Sequence, residues 1–375
     1  MNEFRDNPAA KASASAPRQV PVIGLLPAGP RDAITDVPGV RVGHVTLADG
    51  ALQTGVTVIH PHAGDPYRDK VPAASAVING FGKSIGLVQL DELGQLETPI
   101  ALTNTFSVGT VGQAQIRQAL ASHPEIGRGL PTVNPLVLEC NDGYLNDIQQ
   151  MAVSEADYRR ASDGATQFVP QGSVGAGRGM SSFQMKGGIG TASRTVELTT
   201  PASGDAAESN RRYTVGALVL SNYGRLPNLI WGGDVLGPRI AAMLDAEVNA
   251  IDPEKGSIIM IIATDAPLDA RQLRRLAGRA AAGLARTGSS YGHGSGDIAL
   301  AFSTAYTIPH TPDRPMPAVT TVHETRIDAL FQAAADSVEQ AIIHALWHAE
   351  PVTGRDGQSR APIRDVLARL DARTT

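Results

Sequence analysis

Glu254-Lys255-Gly256-Ser257-Ile258-Ile259-Met260-Ile261-Ile262-Ala263-Thr264-Asp265 carries a polar, turn-like approach straight into an Ile-rich apolar run. A run of this length, bounded by turn residues, reads as a strand buried on both faces. Ser257 is its first residue, and Gly256 before it can take backbone geometry closed to other residues. If the bond between them were cut, Ser257 would carry both a hydroxyl and its own α-amine. That amine has a reference pKa of roughly 7.7–8.0, so it can act as a base near neutral pH. A plain Gly-Ser turn before a core strand satisfies the same two residues.

Outward from this strand the chain is strand-rich and Gly-punctuated. Val40–Leu47 and Gly55–Ile59 predict a hairpin, and Ala74–Ile78, Ile85–Leu90 and Pro99–Thr103 predict further strands. Ser107 is placed to cap a helix with Ile116, Ala119 and Leu120 on one face. Pro135–Leu138 predicts a strand and Tyr144 to Ala161 a helix, while residues 201–212 form a polar loop. Thr214–Leu220 predicts a buried strand and Ile240–Ala246 a helix. After the Ser257 strand, Asp269 and Gln272 form a capping box for a helix striped by Leu273, Leu276, Ala277, Ala280, Ala281 and Leu284. Ile298–Phe302 is a strand and Asp328–Ala349 a helix. Together these elements specify a layered, mixed α/β fold.

The 375 residues are 42% hydrophobic and 18% charged, which suffices for a large core. A net charge of −5 offers no electrostatic case for nucleic acid or anionic membrane. No apolar stretch approaches the roughly 18–20 residues of a membrane span. A single cysteine, Cys140, excludes an internal disulfide framework; with no basic n-region at the N-terminus, the expected compartment is the cytoplasm.

Several constellations compete for chemistry. Gly288-Ser289-Ser290-Tyr291-Gly292 matches Gly-x-Ser-x-Gly, but with a helix before it and a strand after it, the reverse of a nucleophile elbow. Gly175-Ala176-Gly177-Arg178-Gly179-Met180 lacks the third glycine of a dinucleotide fingerprint. His60 and His62, or His344 and His348, have spacings that can serve a metal, yet no zincin-type Glu follows His344. Cys140 has no local basic partner and reads as a small buried residue. Gly294-Ser295-Gly296-Asp297 offers a hydroxyl and a carboxylate two residues apart, on one face at a strand's start. Ser295 can then bond a nucleophile while Asp297 orients it, or the pair can simply form a turn. Asn222, at a strand end, and Tyr144 are candidate oxyanion donors, and Glu139 is a candidate partner for a substrate ammonium.

These pieces together resemble the self-cleaving N-terminal-nucleophile peptidases that include the DmpA-like L-aminopeptidase/D-amidase-esterases and the β-peptidyl aminopeptidases. The matching stretches are Ile34–His44, Leu96–Thr105, Asn141–Asp147 and Lys186–Arg194. The most diagnostic are Gly256-Ser257 with Ala263–Leu268, and Gly294–Asp297 with Ala301–Thr304. The resemblance implies an αββα four-layer sandwich of the N-terminal-nucleophile-hydrolase kind, also found in ornithine acetyltransferases. The Ala- and Ser-rich start of the chain reads as a mobile N-terminal extension (1–30) before one catalytic domain (31–375), and the resemblance implies autocleavage into an α chain (1–256) and a β chain (257–375). Ser257 is then the nucleophile, Ser295 and Asp297 its support, Asn222 and Tyr144 the oxyanion donors and Glu139 the amine-binding residue. No metal or organic cofactor is implied. Short peptides and amino-acid amides or esters are the implied substrates, acted on by a homotetramer of αβ units. Two other readings are an ornithine-acetyltransferase-like acyltransferase, for which a Thr nucleophile is expected, and an uncleaved, inactive scaffold or binding protein.

Overall fold

The computed structural model describes residues 18–200, 209–244 and 255–373. Nine long strands run in chain order: β1 Arg41–Asp49, β2 Leu52–His60, β3 Asp69–Gly80, β4 Ile100–Asn104, β5 Leu136–Cys140, β6 Gly188–Thr200, β7 Ser209–Asn222, β8 Lys255–Thr264 and β9 Gly294–Ser303. The helices are α1 Leu87–Leu93, α2 Val108–Ser122, α3 Glu155–Asp163, α4 Gly237–Met243, α5 Ala270–Ala277, α6 Ala280–Ala285, α7 Asp328–Trp347 and α8 Ile363–Ala372.

A four-stranded sheet has the order β1-β2-β4-β5, and a seven-stranded sheet contains the path β3-β9-β8-β7-β6. In the larger sheet β8 pairs parallel with β9 and antiparallel with β7, so the Ser257 strand is central. Its alternate residues divide two cores. Ile258, Met260 and Ile262 pack among residues of α4 to α8, while Ile259, Ile261 and Ala263 pack among Val42, Ile59, Ile100, Leu102, Leu136 and Leu138 of the smaller sheet. The far face of that smaller sheet, Val56, Val58, Ala101 and Val137, is covered by Val108, Val111 and Ala114 of α2 and Tyr158 and Ala161 of α3. Helix, sheet, sheet and helix thus stack as four layers, because each sheet has two apolar faces to bury.

The opening hairpin, the Asp269/Gln272 capping box and α7 occur where expected. Ile85–Leu90 does not form a strand: Gly86 takes φ 94° and Leu87–Leu93 is helical, burying only Leu90. Ser107 makes no capping bond; Asn104 Oδ1 instead accepts from the N–H groups of Phe106 and Ser107. The core face of α2 is accordingly Val108, Val111, Ala114 and Gln115, leaving Leu120 exposed. The helix expected from Tyr144 is interrupted at Met151 (φ 46°), and α3 begins only after a capping box between Ser154 and Asp157. Of the polar loop at 201–212, residues 201–208 lie outside the described residues and Ser209–Arg212 extend β7. The tail of the Ile240–Ala246 helix also lies outside them. The Leu273–Leu284 stripe is divided between α5 and α6.

Residues 1–17 of the extension expected to be mobile lie outside the described residues, while Val20, Ile23 and Leu26 anchor residues 18–30 on the core. Ile23 is buried; its N–H donates to Gln340 and its carbonyl accepts from the buried Arg194 guanidinium.

Candidate active site

β7, β8 and β9 bring three sequence-distant residues into one row. Ser257 is the register partner of Asn222 on one side and of Gly296 on the other. The Ser257 hydroxyl donates to the carbonyl oxygen of Gly256 at 2.7 Å and accepts from the Gly296 N–H at 3.3 Å. Gly256 itself has φ 123°, and a Cβ there would lie 2.2 Å from the Asn222 carbonyl oxygen, so only glycine fits. The serine is 6% exposed and opens onto a cleft of about 720 Å³. Its lining includes Glu139, Asn141, Tyr144, Ser181, Asn222, Gly256 and Arg360.

Ser295 and Asp297 are fully buried behind this row. Ser295 Oγ donates to Asp297 Oδ1 at 2.6 Å, which orients the hydroxyl beside Gly256, its register partner. Ser295 thus binds Asp297, while the Ser257 hydroxyl bonds the backbone of Gly256 and Gly296.

The side chain of Asn222 is clamped at both ends. Its Oδ1 accepts from Ser181 N at 2.8 Å, and its Nδ2 donates to Asn141 O at 2.9 Å. A carboxamide nitrogen has two N–H groups, so one remains for a further acceptor. Tyr144 is 39% exposed; Arg360 stacks 3.7 Å above its ring and donates from Nη1 to the phenol oxygen at 2.7 Å. With that oxygen occupied as an acceptor, the phenol proton is left to donate.

Glu139 ends β5 and is 3% exposed. Its Oε1 accepts from Lys83 N at 2.8 Å and its Oε2 from the Thr105 hydroxyl. Both donors are neutral groups, a backbone N–H and a hydroxyl. Cys140 next to it is fully buried; burial and the neighbouring Glu139 and Asp297 carboxylates push its thiol well up, which leaves it unreactive.

A buried lysine ties together the Gly-rich segment that precedes Ser181. Lys186 Nζ donates to the carbonyls of Gly177, Met180 and Gly187 at 2.7–2.9 Å, and burial drives its pKa well down. The Gly-rich segment is therefore a loop folded around the Lys186 amine. It leads into the turn at Phe183 and Gln184, both at positive φ, whose Phe183 ring packs edge-on to Tyr223 at 5.2 Å.

The six residues Ser257, Ser295, Asp297, Asn222, Tyr144 and Glu139 all lie in or directly behind one cleft. Sequence reasoning did not reach Arg360, Ser181 or Thr105. Thr105 directly follows β4 much as Asn222 ends β7 and was open to the same argument, whereas Arg360 has no local signal. None of His60, His62, His344 and His348 lines the cleft. His62 binds Asp69 O and Gly64 N, and His344 binds Thr191 O and Gln340.

The profile of peptidase family S58 matches residues 32–360. The chain is similar to a β-peptidyl aminopeptidase, BapA, of Sphingosinicella xenopeptidilytica: 40% identity over 96% of this chain and 92% of the relative. Among solved structures it is similar to a Pyrococcus horikoshii OT3 protein, with TM-score 0.84, 45% identity and coverage of 94% and 98%. It is also similar to the L-aminopeptidase D-Ala-esterase/amidase of Ochrobactrum anthropi, a variant of the Ntn hydrolase fold. That likeness has TM-score 0.82, 34% identity and coverage of 95% and 97%.

Proposed function

Since the chain belongs to peptidase family S58, we propose that it is a self-processing serine aminopeptidase whose nucleophile is Ser257. The two relatives named for peptidase activity support removal of N-terminal residues from short peptides, amides and esters. One observation carries the site assignment: a serine hydroxyl 2.7 Å from the carbonyl oxygen of a positive-φ glycine, opening onto a cleft that also holds a buried carboxylate.

Maturation then proceeds by an N→O shift. Ser257 Oγ bonds to the Gly256 carbonyl carbon, its proton passes to the departing nitrogen, and the C–N bond breaks to leave an ester and a free amine. Water hydrolyses the ester, giving a Gly256 carboxylate and a bare Ser257 hydroxyl. In turnover that hydroxyl attacks the carbonyl of a substrate's first residue, with the new α-amine taking the proton. Ser295, held by Asp297, supports this amine, and Asn222 and Tyr144 donate to the oxyanion, each donor of that kind being worth about 2.7–4 kcal/mol. Glu139 binds the substrate ammonium and makes the enzyme exo-acting.

A serine at 257 disfavours the acyltransferase reading, for which threonine is expected. Two finer expectations are carried forward: a cytoplasmic location, and a homotetramer of αβ units, which light scattering on the purified protein tests. Among the described residues no helix is long and apolar enough to cross a membrane. The decisive experiment is the intact mass of wild-type protein and of Ser257→Ala. The expected result is two pieces, 1–256 and 257–375, for the first, and one inactive 39.2 kDa chain for the second. A cleaved or active Ser257→Ala protein overturns the assignment.

A further inference from the structure

A second cavity, of about 350 Å³, lies at the other end of the smaller sheet. Pro99 lines it and Thr105 lines the active cleft, with β4 between them. Six strand steps at about 3.3 Å each separate the two by roughly 20 Å. The cavity is built from the start of β1, the end of β2, α2 and α3, and no residue assigned to peptidase chemistry contributes to it.

Its polar groups are unevenly satisfied. Tyr158 on α3 is fully buried, and its hydroxyl makes no hydrogen bond although Gln115 and Ser162 flank it. Arg41 also lines the cavity; its Nε is buried without a partner, and no described carboxylate lies within 4 Å of its guanidinium. The other charges in the wall are already paired: Glu97 with Lys70 at 2.7 Å, and Asp65 with His123. His60 bonds Ser162 Oγ at 3.0 Å and is kept neutral by burial, with the adjacent Arg41 contributing.

An unpartnered buried hydroxyl destabilises the fold unless something fills the space beside it. The Arg41 N–H can only donate and the Tyr158 hydroxyl can donate beside it, so one acceptor would satisfy both. The one uncompensated charge is a single guanidinium, so that acceptor carries one negative charge. A planar, singly charged carboxylate fits a guanidinium edge. The volume is at the small end for ligand sites. We propose that this cavity binds a small organic carboxylate, of about the size of one amino acid, between Arg41 and Tyr158.

The test is isothermal titration of the purified protein with propionate, using inorganic phosphate and propylamine as comparison probes at constant ionic strength. Propionate is expected to bind and the other two to bind more weakly. Tyr158→Phe keeps the ring and removes only the oxygen; it should weaken propionate at least about fivefold while leaving the ligand-free Tm unchanged or higher. Arg41→Gln should abolish binding, and peptidase turnover should survive both changes. The proposal is overturned by absence of propionate heat at tens of millimolar, by phosphate or propylamine binding as well as propionate, or by unchanged affinity in Tyr158→Phe. A Tyr158→Phe protein with a markedly lower Tm also overturns it, since the hydroxyl would then serve the fold. Because turnover is read separately, failure here leaves the Ser257 assignment standing, and the converse holds.

Discussion

The guanidinium of Arg360 lies flat over the ring of Tyr144 at 3.7 Å while its Nη1 donates to the phenol oxygen at 2.7 Å. The two residues are 216 positions apart in sequence. If Tyr144 donates to the oxyanion, Arg360 sets the direction of that donation without touching the substrate carbonyl. Arg360→Ala should lower kcat about tenfold to a hundredfold, within the span of a lost oxyanion donor, and leave KM nearly unchanged. Arg360→Lys restores charge but not the planar stack, so its rescue should be partial. Equal effects on KM and kcat in steady-state assays would contradict this role.

Gly256 holds φ 123° with its missing Cβ directed at the Asn222 carbonyl oxygen. Gly256→Ala must move either the scissile peptide or the end of β7. Most of the purified variant should run as the full-length chain on a denaturing gel under conditions where wild type is fully cut. Complete cleavage of the variant would show that the backbone geometry is dispensable.

Glu139 receives two neutral hydrogen bonds in a nearly closed site. Glu139→Gln keeps the shape and removes the charge. A charged hydrogen bond is worth about 1.5–3 kcal/mol, so KM for amine-bearing substrates should rise roughly ten- to a hundredfold while self-cleavage proceeds. A parallel loss of maturation would move Glu139 from substrate recognition to folding of the site.

Asp142, beneath the Asn141–Tyr144 turn, is fully buried and accepts from Asn146 at 3.0 Å. Burial raises its pKa from 3.8 to about 6. Its folded value exceeds its unfolded one, so its contribution is intact below about pH 4 and is lost as pH rises through 6. At roughly 1.4 kcal/mol per pKa unit, the loss is on the order of 3 kcal/mol. Asp142→Asn should therefore gain Tm relative to wild type above pH 6 and lose that advantage by pH 4. Calorimetry across that range checks it; a constant difference would mean the carboxyl titrates normally.

The parts of the site legible in the sequence were those written locally. Gly256-Ser257 and Ser295-Asp297 each combine a glycine with reactive groups at a strand's first residues, and β-pairing converts two such starts into neighbours. Asn222 and Glu139 were legible as polar residues ending apolar runs. What escaped was set by tertiary contact. Arg360 reaches Tyr144 from a two-residue strand, Ser359–Arg360, with no periodicity to betray it. Ile85–Leu90 has strand-like composition, yet with Val88 largely exposed and only Leu90 buried, tertiary packing favours a helix there. The cap at Asn104 was overlooked because a 3-10 turn intervenes between it and α2.

Ser257 lies in the middle of a sheet, with β7 on one side and β9 on the other. A break just before it would create a chain end that cannot fray, since ladder partners grip its first residue from both flanks. The two pieces would share one unbroken interior and part only in denaturant. Heating or diluting the nicked protein should accordingly give a single cooperative melt, with no separate fragment shed beforehand.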